Sequence, residues 1–363
     1  MKPLLEAIQR NRLLWLLAFV PVVFAARQVN HEAHTRLFVL SVLAIVPLTV
    51  LLSQATESVA AKTGDAVGGL LNATLGNLAE LVIALAALRA GQYTLVKASI
   101  AGPIVTNTLF ILGASFLLGG LKHHEQEYNR VSARMQAGLL FLATVALLIP
   151  SAISHADVAA AAFSHKLSVG LAVLLIVTYG LSMLFSLRTH REWFGSVGHA
   201  EAGEAPWPMG VALTTLAGVT ILVALVSDIF VESVQQAAEA FGMTPAFVGF
   251  IIVALVGSAS AMPTAFSGAR KNRLDLSVGI ALGSASQIAL FVAPVLVLVS
   301  YLTGPAPMDL QFWPGAVVMM LIATMTASMV TNSGRSAWFV GVLLLMVYAI
   351  FAMTLYLLPP RVV

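Results

Sequence analysis

Apolar residues fall along this chain in long blocks separated by short polar connections. Most blocks run to roughly 18–25 residues, enough for a helix to cross a bilayer. Eleven can be read: 13–26, 37–53, 66–88, 95–118, 137–153, 167–185, 209–230, 245–266, 276–302, 313–330 and 337–358. The pattern predicts an all-α polytopic membrane protein. The longest polar connection, 186–207, carries Arg188, His190, Arg191, Glu192, Glu201 and Glu204 near the middle of the chain and reads as a linker between halves. The predicted organisation is a tail and first transmembrane helix over 1–36, a five-helix repeat over 37–185, a cytoplasmic linker over 186–207 and a second, inverted five-helix repeat over 208–363. The first block follows Lys2, Arg10 and Arg12 in the manner of a signal peptide. Ala25-Ala26 before Arg27-Gln28 do not make a convincing small-residue cleavage site, so it is expected to remain as a helix.

Charge sets the expected orientation. With the N-terminus in the cytoplasm, thirteen basic residues lie inside: Lys2, Arg10, Arg12, Lys62, Lys122, Arg130, Arg134, Arg188, Arg191, Arg270, Lys271, Arg273 and Arg335. Six lie outside: Arg27, Arg36, Arg89, Lys97, Lys166 and Arg361. This asymmetry predicts a cytoplasmic N-terminus, an outside C-terminus and an odd number of spans. The halves also echo each other. Without a gap, Gly76 pairs with Gly257, Ala84 with Ala265, Arg89 with Arg270 and Gly102 with Gly283; upstream, Glu57 in Thr56-Glu57-Ser58-Val59 answers Glu232 in Val231-Glu232-Ser233-Val234. Five spans per repeat give the halves opposite topology. Inverted repeats with glycine-interrupted helices in matching places are the mark of secondary transporters, whose sites lie near the midplane between the repeats.

Composition narrows the class further. Of 363 residues, 59% are hydrophobic and 10% charged, against about 25% charged in soluble domains, and mean hydropathy is +0.93. The net charge of +3 reports the inside bias, so nucleic acid is not an expected partner. The chain has no cysteine, which excludes disulfides and thiolate metal sites. No Gly-x-x-x-x-Gly-Lys-Ser/Thr run is present, so an ion gradient must supply the energy. Nothing resembles a paired acid and base, a nucleophile or a fixed metal centre, so an enzyme is not expected, and no cofactor either.

The chemistry concentrates in Gly68-Gly69-Leu70-Leu71-Asn72-Ala73-Thr74-Leu75-Gly76-Asn77-Leu78-Ala79-Glu80-Leu81. A carboxylate at membrane depth is costly and marks a cation or proton site by default. Neutral oxygens can come from Asn77, Thr106, Asn107, Ser258, Ser260, Ser284, Ser286 and Gln287, and from carbonyls opened near Gly76 and Gly257. Asp228 and Glu232, four apart on one helix face, and Glu57 are secondary acidic candidates. Each reading has a plainer rival. Glu57, Asp228 and Glu232 could be hydrated helix ends, the amides could simply bond helix to helix, and the glycines could serve close packing. The histidines sit in loops and read as solvated.

At Gly68 to Leu81 the chain resembles the calcium/cation antiporter superfamily, in its calcium/proton exchanger branch, whose first signature reads Gly-Gly-Leu-Leu-Asn-Ala-Thr-x-Gly-Asn-x-x-Glu-Leu. The span from Ser99 to Gly113, with Gly102-Pro103 and Asn107, is also similar. So is the run from Leu282 through Ser284 and Gln287 to Pro294, and Ser333-Gly334-Arg335-Ser336-Ala337-Trp338 resembles the family's Asp-Gly-Lys-Ser-Asn-Trp. The resemblance implies a pair of facing glutamates that bind calcium or protons in alternation. In the second signature, however, the family's Gly-Asn-Ala-Ala-Glu-His is Gly257-Ser258-Ala259-Ser260-Ala261-Met262, so Ala261 stands at the second carboxylate; Ser333 replaces an Asp, and Val340 a Glu. The expected function is calcium/proton exchange by alternating access in a bacterial cell membrane, with inorganic cations, protons and the lipid bilayer as partners. Glu80 would be the shared ligand, with Gly76, Asn77, Asn107, Ser258, Ser284 and Gln287 around it. One carboxylate leaves bound Ca2+ with uncompensated charge, which keeps two alternatives open: a monovalent Na+(K+)/H+ antiporter, and a transport-inactive binding or regulatory homologue.

Overall fold

The structure is a computed structural model and describes residues 2–153, 158–190 and 206–357. Most of the expected linker, including Arg191, Glu192, Glu201 and Glu204, and the C-terminal Arg361 lie outside the described residues. Among those described, eleven helices are long and apolar enough to span a membrane: α1 (Arg12–Val29), α2 (His34–Lys62), α3 (Val67–Arg89), α4 (Tyr93–His123), α5 (Arg130–Ile153), α6 (Phe163–Thr189), α7 (Met209–Ala240), α8 (Val248–Arg270), α9 (Leu274–Thr303), α10 (Pro314–Thr331) and α11 (Trp338–Leu357). The chain is therefore an integral, multi-pass, all-helical membrane protein. The number of spans matches the blocks in the sequence, and most helices run several residues past them.

The outer surface of the bundle is apolar. Exposed residues recur every three or four positions, as Val318, Ile322, Met325 and Met329 on α10 and as Phe339, Leu343, Met346, Ile350, Met353 and Leu357 on α11. A stripe of that period is one helix face, and an unbroken apolar exterior of this kind suits lipid. The long helices α2 and α7 pack along each other, with the second half of α3 against α7, and the most buried spans are α4 and α9. Contacts come in exchanged pairs. α3 meets α7 and α2 meets α8; α4 meets α11 and α6 meets α9; α5 meets α9 and α4 meets α10. Swapping the two halves of the chain reproduces this set. The turns repeat as well: Gly91, between α3 and α4, and Asn272, between α8 and α9, both adopt positive φ (71° and 59°) and lie 181 residues apart.

Two features depart from a plain bundle of unbroken spans. First, β1 (Glu125–Glu127) and β2 (Arg335–Ala337) form a short antiparallel ladder, Glu125 opposite Ala337. It joins the α4–α5 and α10–α11 connections, and Arg335 reaches Glu127 at 2.9 Å. Three-residue strands in polar connectors carry too little pattern to be read from sequence, and they form here because pairing satisfies backbone groups of two adjacent loops. At another connection, Lys97 of α4 pairs with Asp309 at 2.5 Å, the two side chains 17% and 19% exposed, and Tyr93 bonds both the carbonyl and the amide of Ala306. Second, the spans over 66–88, 95–118, 245–266 and 276–302 are each interrupted midway, two of them at Gly76 and Gly257, where the sequence predicts opened carbonyls.

Helices approach closely where α4 crosses α8. A Cβ at Gly102 would sit 2.4 Å from the Phe250 carbonyl oxygen and 2.7 Å from its Cα. Those are backbone atoms and cannot swing aside, so even one methyl must push the helices apart. Gly102→Ala is expected to destabilise the purified protein by about 1–3 kcal/mol, the usual cost of overpacking. Gly170→Ala, on α6 with nothing within 4 Å of the added carbon, should leave stability level or raise it by up to about 1 kcal/mol. Thermal unfolding of both variants in one detergent is the check.

Candidate functional site

Four interrupted helices meet at the centre. In α3 a helix over Asp65–Leu75 ends at Gly76 and a new one starts at Leu78; between them Asn77 takes φ −113° and ψ 33°, outside helical values. In α8 the π turn Val248–Val253 is followed by the helix Ala254–Gly257, the 3-10 turn Ser258–Ser260 and the helix Ala261–Arg270. The partner helices widen into π turns at Thr106–Ile111 in α4 and at Ile288–Val292 in α9. These follow each other at nearly the repeat spacing. Such turns unpair local backbone groups and turn side chains toward a neighbour, which is why they gather at functional sites. The glycine and small polar residues at the Gly76 and Gly257 breaks make those interruptions tolerable and mark them in the sequence, whereas the apolar runs of α4 and α9 give no sign of their π turns.

Glu80 sits in the first turn after the α3 break and is 5% exposed. Its carboxyl lies directly on the α8 break. A Cβ at Gly257 would meet Glu80 Cγ at 2.9 Å and Oε1 at 3.3 Å, so only glycine admits the acid there. A chain of neutral groups runs beside it. Asn77 donates from Nδ2 to Gln287 Oε1 at 2.8 Å, and Ser284 donates to Asn77 Oδ1 at 2.8 Å. Asn107 donates to Ser284 Oγ at 3.0 Å, and Ser258 donates to Asn107 Oδ1 at 3.4 Å. Gln287 in turn donates to the Ala73 carbonyl, and its amide lies about where a side chain on Gly76 would be, 3.3 Å from the built Cβ. The network thus links α3, α4, α8 and α9, two helices from each half of the chain.

The structure brings the predicted neutral residues together: Gly76, Asn77, Asn107, Ser258, Ser284 and Gln287 form one connected cluster beside Glu80. It does not bring the secondary acids there. Glu57 is exposed and accepts from Ser53 at 3.0 Å, and Asp228 is exposed. Glu232 is exposed and forms a two-oxygen pair with Arg27 of α1 at 2.9 and 3.0 Å. The i, i+4 spacing does put Asp228 and Glu232 on one face of α7, and that face is exposed. Ser286 also turns aside, donating to the Gln136 carbonyl on α5 at 3.2 Å. Among the described residues no group of three or more His, Cys, Asp or Glu gathers in a metal-holding cluster. What the site offers a cation is one carboxylate with amide and hydroxyl oxygens, all hard donors.

Sequence reasoning missed Tyr179. From α6 its hydroxyl donates to the Ala73 carbonyl at 2.5 Å, the same oxygen that Gln287 approaches. This carbonyl belongs to the last turn before the break. The available signal was a lone tyrosine inside an apolar span, because a tyrosine hydroxyl taken into a bundle needs a partner. Tyr348 of α11 similarly meets Thr106 at 3.3 Å.

A sequence model of the sodium/calcium exchanger protein family matches residues 34–188 and 211–357. The Ca2+/H+ antiporter of Aphanothece halophytica is 38% identical over 360 residues, spanning 95% of this chain and 96% of the relative. The Ca2+/H+ antiporter ChaA of Bacillus subtilis (strain 168) is also 38% identical, covering 96% of this chain and all of the relative. Among solved structures, native YfkE superposes with a TM-score of 0.82 at 36% identity over 96% of this chain and 100% of its own. An H+/Ca2+ exchanger CAX shares the fold at a TM-score of 0.72 and 14% identity, over 96% of this chain and 92% of its own. The two matched segments take in all four interrupted helices. This chain belongs to the sodium/calcium exchanger protein family.

Proposed function

We propose that the protein is a secondary antiporter exchanging calcium for protons, with Glu80 as the group both compete for. The observation that carries this reading is the placement of one buried carboxylate against the backbone of Gly257, at the crossing of two broken helices and beside a connected set of neutral oxygens. The function of the relatives named above supports calcium as the cargo. Deprotonated Glu80, with Asn77, Asn107, Ser258, Ser284 and Gln287 nearby, supplies hard oxygens to a dehydrated cation. Protonated Glu80 is neutral, and the site no longer attracts a cation. Cation and proton therefore exclude each other, and that exclusion couples their movements.

Access differs between the two sides of the crossing. Val67, Leu70, Asn72 and Gly76 on the first half of α3 are exposed, whereas in the equivalent half of α8 Val248, Gly249, Phe250, Val253, Ala254 and Gly257 are buried. This arrangement is a state open along the start of α3 and closed along the start of α8. By the inside bias of Lys and Arg, the open side is the cytoplasmic one, the N-terminus lies in the cytoplasm and the C-terminus outside. Exchanging the roles of the two halves closes this side and opens the other. A second reading, exchange of Na+ or K+ for H+, is favoured by the single carboxylate, whose charge balances one monovalent ion.

Reconstituted protein loaded with Ca2+, Na+, K+ or Mg2+ in turn, each as the only counter-cation, decides the cargo through proton flux. Calcium-driven flux is expected; sodium- or potassium-driven flux without a calcium response would select the second reading, and silence with all four would leave a binding role only. Glu80→Gln keeps the volume and removes the charge, so cation-driven proton movement should fall at least about 100-fold, an order set by the loss of a charged buried ligand. The variant should still purify as a monodisperse protein. Ser284→Ala breaks the chain between Asn77 and Asn107 and is expected to weaken apparent calcium affinity by roughly 5- to 30-fold, the equivalent of about 1–2 kcal/mol. The pair Asp228→Asn with Glu232→Gln should leave that affinity within about twofold, as exposed charges distant from a site do. Uptake titrations on the same vesicles read all three.

A further inference from the structure

The number of protons an exchanger returns per cation is limited by the titratable groups its site contains. The elements packed on the second half of α3 are α2, α4, α7, α8 and α9. On α2 the acid is Glu57, exposed and bonded to Ser53, with exposed Arg36 and Lys62 toward the ends. On α7, Asp228 and Glu239 are exposed and Glu232 is held by Arg27. The charge on α4 nearest its start, Lys97, is neutralised by Asp309. α8 carries none before Arg270 at its exposed end, and Asp275, in the first turn of α9, accepts from the Asn129 backbone amide. Arg89 closes α3 in an exposed position. Glu80 is the one acid among the described residues whose side chain is buried. Every network residue beside it is an amide or hydroxyl, which neither gains nor loses a proton in the working range of pH.

Ala261 sharpens this. It occupies the position in α8 that the ungapped repeat pairs with Glu80 of α3, and it starts the helix after the α8 break as Glu80 lies in the first turn after the α3 break. A methyl group there neither titrates nor offsets charge.

We infer that each cycle exchanges one calcium ion for one proton, so that transport moves net positive charge and responds to membrane potential as well as to pH. The inference rests on the calcium/proton reading. The balance is direct. The site crosses in one direction with Ca2+ on the Glu80 carboxylate, carrying two positive charges of cargo. It returns with one proton on the same oxygen pair, carrying one. One positive charge therefore moves with calcium per turnover. With a monovalent cation the same cycle moves none.

The test measures where net flux stops. Wild-type proteoliposomes are held at zero potential with valinomycin and equal potassium, under a pH difference of one unit, and the calcium ratio at which net calcium movement vanishes is determined. One proton per ion gives a ratio of about tenfold, since at zero potential one proton crossing one pH unit and one calcium ion crossing a tenfold gradient involve the same free energy. A ratio of about 100-fold means two protons and overturns the inference while leaving calcium/proton exchange standing. In a second arm, a potassium diffusion potential is imposed with no pH difference. Calcium flux following its sign supports charge movement; no response to voltage in vesicles that still respond to pH overturns it. Absence of calcium flux under both drives overturns the calcium reading itself and the inference with it. Ala261→Glu supplies the missing titratable group. In protein that still transports, its null ratio should rise toward about 100-fold and its voltage response should disappear, and an unchanged null ratio would argue against counting protons from these two positions.

Discussion

Inside hydrocarbon every backbone amide and carbonyl must find a partner in the protein, because water is not there to supply one. The centre of this molecule is organised by that constraint. Breaking α3 at Gly76–Asn77 and α8 at Ser258–Ser260 frees polar groups in the place where they are hardest to leave unpaired, and neighbouring helices from both halves of the chain answer them. Gln287 and Tyr179 converge on the Ala73 carbonyl, while Asn77, Ser284, Asn107 and Ser258 link the four helices to one another. The same groups that make the breaks affordable are hard oxygen donors beside a carboxylate. Structural satisfaction and ion coordination are two uses of one set of side chains, and a cation that took oxygens from this set would necessarily loosen contacts between the halves.

This overlap gives transport its mechanical basis. A ligand shifts a conformational equilibrium only by the difference in its affinity for the two states. Here the cluster spans helices from both halves, so occupation by a cation or by a proton on Glu80 changes the forces across the interface along which the halves must move. The close backbone approach at Gly102 and Phe250 and the exposed flank at Leu70, Asn72 and Gly76 show that the interface is packed unequally on its two sides. Paired connections tie the ends of the bundle: the β1–β2 ladder with Arg335 and Glu127, and Lys97 with Asp309. Opening either side must work against one or the other of these ties, and both lie far enough from the centre to leave the cation chemistry to Glu80.

The departure of the second repeat from the first has a physical reading in the same terms. A second acid at position 261 would have to share the low-dielectric centre with Glu80, and two carboxylates so placed favour either a divalent cation or protonation. With alanine there the resting charge of the centre is a single negative one. The neutral members of the network are unaffected by the exchange, since none of them depends on a charge at 261 for its partner.

The sequence by itself determined the membrane class, the number of spans, the buried acid and the identity of the neutral residues around it. These are consequences of composition and local order: long apolar blocks can only be membrane helices, and an acid within one must have a use. It was enough to expect Gly76, Asn77, Asn107, Ser258, Ser284 and Gln287 at one place, because the echo between halves aligns the broken helices. Tertiary structure alone decided which acids accompany Glu80. Asp228 and Glu232 share a helix face as their spacing requires, but the rotation of α7 about its axis, set by its packing on α2 and α3, turns that face outward to Arg27. Tyr179 reached the site for the converse reason: its neighbours in sequence are apolar and gave no hint that α6 passes beside the last open carbonyl of α3. Periodicity fixes which residues of a helix lie together, and only the packing of helix against helix fixes what they face.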